Sequence, residues 1–195
     1  MSIGILALQG AFCEHQQMLE KLKVKTHLIR KPDDLNIPMD GLIIPGGESS
    51  AIGKLLMDLE MLEPIRAMIN DGLPVFGTCA GLILLAKDVT NNGFFSLKTM
   101  AITAKRNAYG RQLGSFARVC DFKGIGEIPM VFIRAPYIES VGENVEVLAV
   151  VDDKIVAARE NNQLATAFHP ELSDNSKIHE LFVSMCEDHQ KSKAH

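Results

Sequence analysis

The chain has no apolar run near the roughly 20 residues that a membrane-spanning helix needs, no cluster of basic residues, and no paired cysteines. Each absence removes a class of function. Met1 leads into the strand-like Ile5-Leu6-Ala7-Leu8 rather than a signal peptide, so a soluble, cytoplasmic protein with no membrane contact is expected. A formal net charge of -4 without a basic patch speaks against nucleic acid as a partner. Cys13, Cys79, Cys120 and Cys186 fall in no C-x-x-C pattern, and in a reducing compartment they are expected to be free thiols. No His, Cys or carboxylate pairs recur at ligand spacing, so neither a metal nor a cofactor is expected. No repeat, low-complexity tract or linker divides the 195 residues, and with 47% of them hydrophobic they suffice for one full core. A single domain over 1–195 is the expectation, with a polar tail after Glu187 that frays.

What is present alternates between two periods. Ile3 to Leu8 is a continuous apolar run, as in a strand buried on both faces, and Gln9-Gly10 turns it. Phe12 to Lys23 carries Met18, Leu19 and Leu22 at helical spacing. Thr26 to Ile29 and Leu42 to Ile44 read as the next strands, with helices at Ser50 to Met57 and Leu62 to Asn70. Strands alternating with helices in this way predict an α/β fold, a doubly wound, mostly parallel sheet with ligands at the carboxyl ends of its strands. From about Met100 the pattern changes to β-rich runs at Ser115–Phe122, Met130–Ile133, Val145–Val151, Lys154–Ala158 and Gln163–Phe168. These are expected to extend the same sheet in antiparallel fashion. A helix from about Asp174 to Asp188, capped by Ser173 or Asp174, closes the chain.

Within this frame Gly77-Thr78-Cys79-Ala80-Gly81 stands out. A short apolar run (Val75, Phe76) ends in G-x-C-x-G, and a helical pattern through Lys87 starts at once. Small residues on both sides of one side chain allow the strained strand-to-helix turn of a nucleophile elbow. The helix N-terminus favours a thiolate there, and the Ala80 amide can face a developing oxyanion. An isolated cysteine is more often a buried structural residue; the glycine bracket and the context reverse that balance.

A thiol nucleophile needs a base, and the base an orienting group. Of His15, His27, His169, His179, His189 and His195, only His169 sits at the end of a strand, in the same carboxyl-end layer as Cys79. Glu171, two residues on, can accept from its other ring nitrogen. Pro45-Gly46-Gly47-Glu48-Ser49 ends another buried strand, where two glycines permit unusual backbone conformations that aim an N–H at a carbonyl oxygen. A phosphate-loop reading of Gly47 to Lys54 fails on its spacing and on Leu55, which stands where a magnesium-binding hydroxyl belongs.

P-G-G-E-S, G-T-C-A-G and H-P-E, in that order, resemble the class I, triad-type glutamine amidotransferases, whose sheet is flavodoxin-like. The runs Leu8 to His15, Arg106 to Gln112 (R-N-A-Y-G-R-Q), Phe132 to Pro136 and F-H-P-E-L resemble more closely the glutaminase subunits of pyridoxal 5′-phosphate synthases, over essentially the whole chain. The resemblance implies Cys79 as nucleophile, His169 as proton carrier and Glu171 as its holder, with an oxyanion hole from the amides of Gly47 and Ala80. It implies glutamine contacts at Gly47, Glu48, Ser49, Arg106, Ile133 and Arg134. Charge logic agrees for two of them, since an arginine suits the carboxylate of free glutamine and a carboxylate suits its ammonium. It implies as partner a barrel-shaped synthase subunit in a hetero-oligomeric complex, met by the face bearing Gln9, Gly10, Glu14 and His15. Three places depart from the pattern: Cys13 in place of arginine, Ser50 in place of threonine, and Asn91 to Met100 without a Gly-Leu segment. A stand-alone cysteine hydrolase would not need P-G-G-E-S, Arg106 and Glu171, and a non-catalytic subunit would not need Cys79, His169 and Glu171 together.

Overall fold

The structure, a computed structural model, describes residues 1–90, 95–106 and 115–193. Asn107 to Gln112 of the R-N-A-Y-G-R-Q motif, the first part of the divergent stretch Asn91 to Met100, and His195 lie outside the described residues. The chain begins with β1 (Ser2–Leu6), α1 (Phe12–Lys21), β2 (Lys25–Ile29), β3 (Gly41–Ile44), α2 (Ser49–Asp58), α3 (Leu62–Asn70) and β4 (Val75–Thr78). β3 and β4 are buried along their whole length, which is why they read as apolar runs without alternation. The short helix α4 (Ala80–Leu85) leads into β5 (Ala86–Thr90), β6 (Met100–Lys105), β7 (Ser115–Phe122) and β8 (Gly126–Ile133). β9 (Tyr137–Val141), β10 (Glu146–Val151), β11 (Lys154–Glu160), β12 (Gln163–Thr166) and α5 (Lys177–Lys193) complete the order.

The main sheet has ten strands in the order β2-β1-β3-β4-β12-β11-β9-β6-β5, with β10 paired to β11. Its first five strands are all parallel, in the doubly wound arrangement expected from the sequence. Because the chain turns to one side of β1 for β2 and to the other for β3, a crevice opens beyond their carboxyl ends. The loops after β1, β3, β4 and β12 all emerge there, and they carry Gln9, Gly47, Cys79 and His169. β11 runs antiparallel to β12, and β9 antiparallel to β11 and β6, so the antiparallel extension is present. β5 and β6, however, pair parallel.

Three expectations need correction. Ser115–Phe122 and Met130–Ile133 do not join the main sheet: β7 and β8 form their own two-stranded antiparallel ribbon. β7 is exposed along most of its length, and β8 alternates, turning Ile128, Met130 and Phe132 inward, so the ribbon lies on the core by one face. The helix after the elbow stops at Leu85 rather than Lys87, since the incoming amides of Leu97 and Thr99 take the Leu84 and Leu85 carbonyls at 2.8 and 2.9 Å. The last helix starts at Lys177 and stays helical to Lys193, so the tail after Glu187 is not frayed there. The Asn175 side chain, accepting from the Lys177 amide at 3.0 Å, performs the capping expected of Ser173 or Asp174.

Candidate active site

The elbow forms where β4 meets α4. Cys79 adopts φ 49° and ψ −95°, a conformation that costs a non-glycine residue about 1–3 kcal/mol. Neighbours over-determine it: the Cys79 amide donates to the Thr166 carbonyl of β12 at 2.8 Å. A Cβ at Gly81 would sit 2.1 Å from the Ile44 carbonyl oxygen, so only glycine lets α4 pack this close to β3. The dipole of a six-residue helix is small, so the expected helix field at the thiol gives way to a direct partner. That partner is His169, whose imidazole pKa is raised by the neighbouring Cys79 side chain.

His169 follows β12, and its amide donates to the Val131 carbonyl of β8 at 2.8 Å, which locks the β7–β8 ribbon over the site. Its Nδ1 lies 2.7 Å from Glu171 Oε1, and both residues are buried. Burial alone would lower the His169 pKa, but the hydrogen bonds and charges of Cys79 and Glu171 outweigh it and push the pKa up to about 10. Glu171 is likewise penalised by burial, yet His15 and His169 hold it below the ordinary carboxylate range. The three residues singled out from the sequence are therefore brought together, with a protonated imidazole held between the Cys79 sulfur and the Glu171 carboxylate.

The Pro45-Gly46-Gly47-Glu48-Ser49 loop closes the other side. Its glycines are not in left-handed conformations, contrary to the sequence-based expectation; they are required by close approach. A Cβ on Gly46 would lie 2.3 Å from the His169 ring, and one on Gly47 2.3 Å from Gln9 Oε1. The loop is clamped from β1's end: the Ala11 amide donates to the Gly46 carbonyl at 2.9 Å, and the Glu48 amide to Gln9 Oε1 at 2.8 Å. With the Gly46 carbonyl turned to Ala11, the Gly47 N–H of the same trans peptide points the opposite way.

A cleft of about 640 Å³ lies among these loops. Its wall includes Gln9, Gly10, Glu14, Gly47, Glu48, Ser49, Cys79, Arg106, Ile133, Arg134 and His169, so these predicted site residues share one space. Ile133 and Arg134 arrive on the end of β8, where Arg134 turns with φ 44° and the Ile133 carbonyl faces the Cys79 thiol at 4.0 Å. Ala80 and Glu171 lie behind the wall. His15 corrects an expectation: it is fully buried and cannot meet a partner's surface. The helical period of α1 turns it inward with Met18 and Leu19. There it contacts Thr78, His179 and Glu171, a cluster that the sequence reading missed beyond His15 itself. Ala11, Ile83 and Leu172 also line the cleft without having been singled out. Among the described residues no group of three or more His, Cys, Asp or Glu is placed to hold a metal ion. No helix among them is long and apolar enough to cross a membrane.

The profile of the SNO glutamine amidotransferase family matches residues 5–188. The chain belongs to that family. It is 56% identical over 191 residues to the pyridoxal 5′-phosphate synthase subunit PdxT of Streptococcus pneumoniae (strain CGSP14), covering 96% of this chain and 98% of that one. It is 57% identical over 189 residues to the PdxT subunit of Haemophilus influenzae (strain PittGG), covering 95% and 98%. A crystal structure of a glutamine amidotransferase superposes with a TM-score of 0.91 at 39% identity, covering 95% of this chain and 98% of that chain. The family fold and the sheet derived above thus agree, including the mostly parallel half that carries the elbow.

Proposed function

We propose that this chain is the glutaminase subunit of a pyridoxal 5′-phosphate synthase, hydrolysing L-glutamine to L-glutamate and handing the ammonia to a synthase subunit. The observation that carries the chemistry is the Cys79–His169–Glu171 arrangement at the floor of a cleft with Glu48 and Arg106 at its mouth. In this reading residues 1–195 form one glutaminase domain that works in the cytoplasm.

Cys79 Sγ attacks the carboxamide carbon of glutamine, and the amides of Gly47 and Ala80 receive the oxyanion. His169 gives its proton to the departing nitrogen, leaving ammonia and a γ-glutamyl thioester. The imidazole then takes a proton from water, whose oxygen attacks the thioester, and glutamate and the thiol are released. Glu171 holds the ring in the tautomer and orientation that both steps need. Arg106 pairs with the substrate carboxylate and Glu48 with its ammonium, while Ser49, Ile133 and Arg134 form the remaining walls. No bound cofactor takes part. The synthase subunit, expected to be a barrel protein in a hetero-oligomeric complex, docks on the face bearing Gln9, Gly10 and Glu14, where it reaches the loop that holds the Gly46-Gly47 peptide.

The test is glutaminase activity measured with and without the cognate synthase, together with pyridoxal phosphate formation from glutamine. Glutamate release that depends on Cys79 and feeds synthesis is expected. A protein that releases no glutamate under either condition would overturn the reading.

A further inference from the structure

Behind the triad lies a second, fully buried layer. His15 Nε2 stands 3.5 Å from Glu171 Oε2 and 3.1 Å from Thr78 Oγ1, and His15 Nδ1 lies 2.9 Å from His179 Nε2. Both rings pack edge-on against Phe76 of β4, at 5.9 and 5.8 Å between centroids. Neither ring reaches the cleft.

Two buried atoms in this layer make no hydrogen bond among the described residues, Glu171 Oε2 and His179 Nδ1. They decide where the protons are. Were His15 protonated on Nδ1, its Nε2 lone pair would face a carboxylate oxygen, and His179, accepting at Nε2, would leave an N–H at Nδ1 with no acceptor. With the proton on His15 Nε2, that N–H lies between Thr78 Oγ1 and Glu171 Oε2, His179 Nε2–H donates to His15 Nδ1, and His179 Nδ1 is left only as an unused acceptor. An unmet donor is the costlier defect in a buried site.

We infer that His15 is a positioning residue for the reaction: its Nε2–H supports the second oxygen of Glu171, so that the first stays aligned on His169 Nδ1, and His179 fixes the tautomer that makes this possible. The inference rests on the triad reading above. The geometry also favours a neutral His15, because an imidazolium would donate at Nδ1 to His179 Nε2 and leave the His179 Nδ1–H without an acceptor. Burial lowers its pKa first, opposed by Glu171 and Glu14 and aided by His169. The groups that face it are Glu14 on its own helix, Glu171 and His169 from the turn after β12, His179 from α5 and the hydroxyl of Thr78.

Proton-detected NMR of the wild-type protein labelled with ¹⁵N-histidine tests the tautomer without any substitution. A proton on His15 Nε2 is expected, and one on Nδ1 overturns the inference. His15→Phe should lower kcat about tenfold to a hundredfold with KM unchanged, as expected when the dipole supporting a buried carboxylate is removed. His15→Gln, which restores an N–H at the position of Nε2, should recover most of the loss. The pH at which the His169 ring loses its proton, followed in the same spectra, should move downward in His15→Phe. With Glu171 no longer aligned on Nδ1, the imidazolium loses part of its counter-charge. A drop in kcat that Gln does not rescue, with an unmoved His169 titration, would mark His15 as merely structural and overturn the role. So would full activity in His15→Phe while His169→Ala is inactive; retained activity in His169→Ala would instead overturn the triad itself.

Discussion

Arg106 Nη2 donates to Glu48 Oε1 at 3.0 Å across the mouth of the cleft, so the two residues expected to grip the α-carboxylate and the α-ammonium of glutamine grip each other. Ser50 Oγ shares the same carboxylate oxygen at 3.0 Å. Glu48 is largely exposed, and an exposed ion pair is worth little. On the proposed reading, bound glutamine exchanges this weak pair for two charge-assisted ones, with its carboxylate at Arg106 and its ammonium at Glu48.

Arg106→Ala should therefore raise KM for glutamine roughly tenfold to a hundredfold, as for loss of one charge-assisted bond of about 1.5–3 kcal/mol. Glu48→Ala should raise it less, because the substitution also removes the competing pair that Arg106 makes with Glu48. The double variant should fall short of the sum of the two, since the residues are coupled. Steady-state glutaminase kinetics reads all three. An unchanged KM in Arg106→Ala would return that residue to an ordinary surface charge.

A diazo ketone analogue of glutamine should modify Cys79 and no other cysteine, as mapped by peptide mass spectrometry. Cys186 is buried and its thiol is pushed up to about 12, chiefly by that burial, so it presents little thiolate. Cys13 is exposed, but it does not line the cleft and should be spared by an analogue that must bind first. Cys79→Ala should be inactive. An adduct elsewhere, or turnover in that variant, would remove Cys79 from the reaction.

The charge state of His169 should appear in the pH dependence of stability. Its pKa lies near 6.5 in an unfolded chain and is raised to about 10 in the fold. A raised value means the pairing stabilises fully below about pH 6.5 and is lost as the pH climbs toward 10. The excess in Tm of wild type over His169→Phe should then be largest near pH 6 and shrink toward pH 10. In kinetics, His169→Ala should abolish turnover, and Glu171→Gln should lower kcat while leaving KM nearly unchanged, because an amide no longer demands the correct tautomer. A Tm difference that stays flat with pH would contradict an imidazolium at this site.

Much of this site was legible because its signals are local. Leu42 to Ile44 and Val75 to Phe76 announce doubly buried strands by composition alone, and each ends in a turn whose residues carry the chemistry. Ala86–Thr90 was not legible: its Lys87 and Asp88 read as surface, and only pairing with β6 makes it an edge strand. Nor does alternation in Gly126–Ile133 say which sheet a strand joins; that follows from Phe132 packing on Phe116 and Phe168. His15 is different in kind. Its spacing to Met18 and Leu19 marks it as inward-facing, but the neighbouring Glu14 and the general position of the segment suggested a surface. His179 offers the same helical spacing, with Phe182 and Met185, and its meeting with His15 across 164 positions is set by the fold alone.

The final prediction concerns control by the synthase. The Gln9 side chain and the Ala11 amide hold the two ends of the loop containing the Gly46-Gly47 peptide, through Glu48 and Gly46 respectively. Gln9, Gly10 and Glu14 are also on the open wall of the cleft, so a docked partner touching them can alter how that peptide is held. Ammonia released with no acceptor is protonated and lost to solvent, so a subunit that turns over slowly alone avoids wasting glutamine. Added synthase should therefore raise kcat, and Gln9→Ala should diminish that rise more than it changes the basal rate. Glu14→Ala, which leaves the Gln9 clamp intact, should weaken only the response to synthase concentration. Titrating the synthase into wild type and both variants while following glutamate release separates these effects. Equal rates for the isolated subunit and the complex would remove the clamp as a control point and leave the chemistry at Cys79 standing.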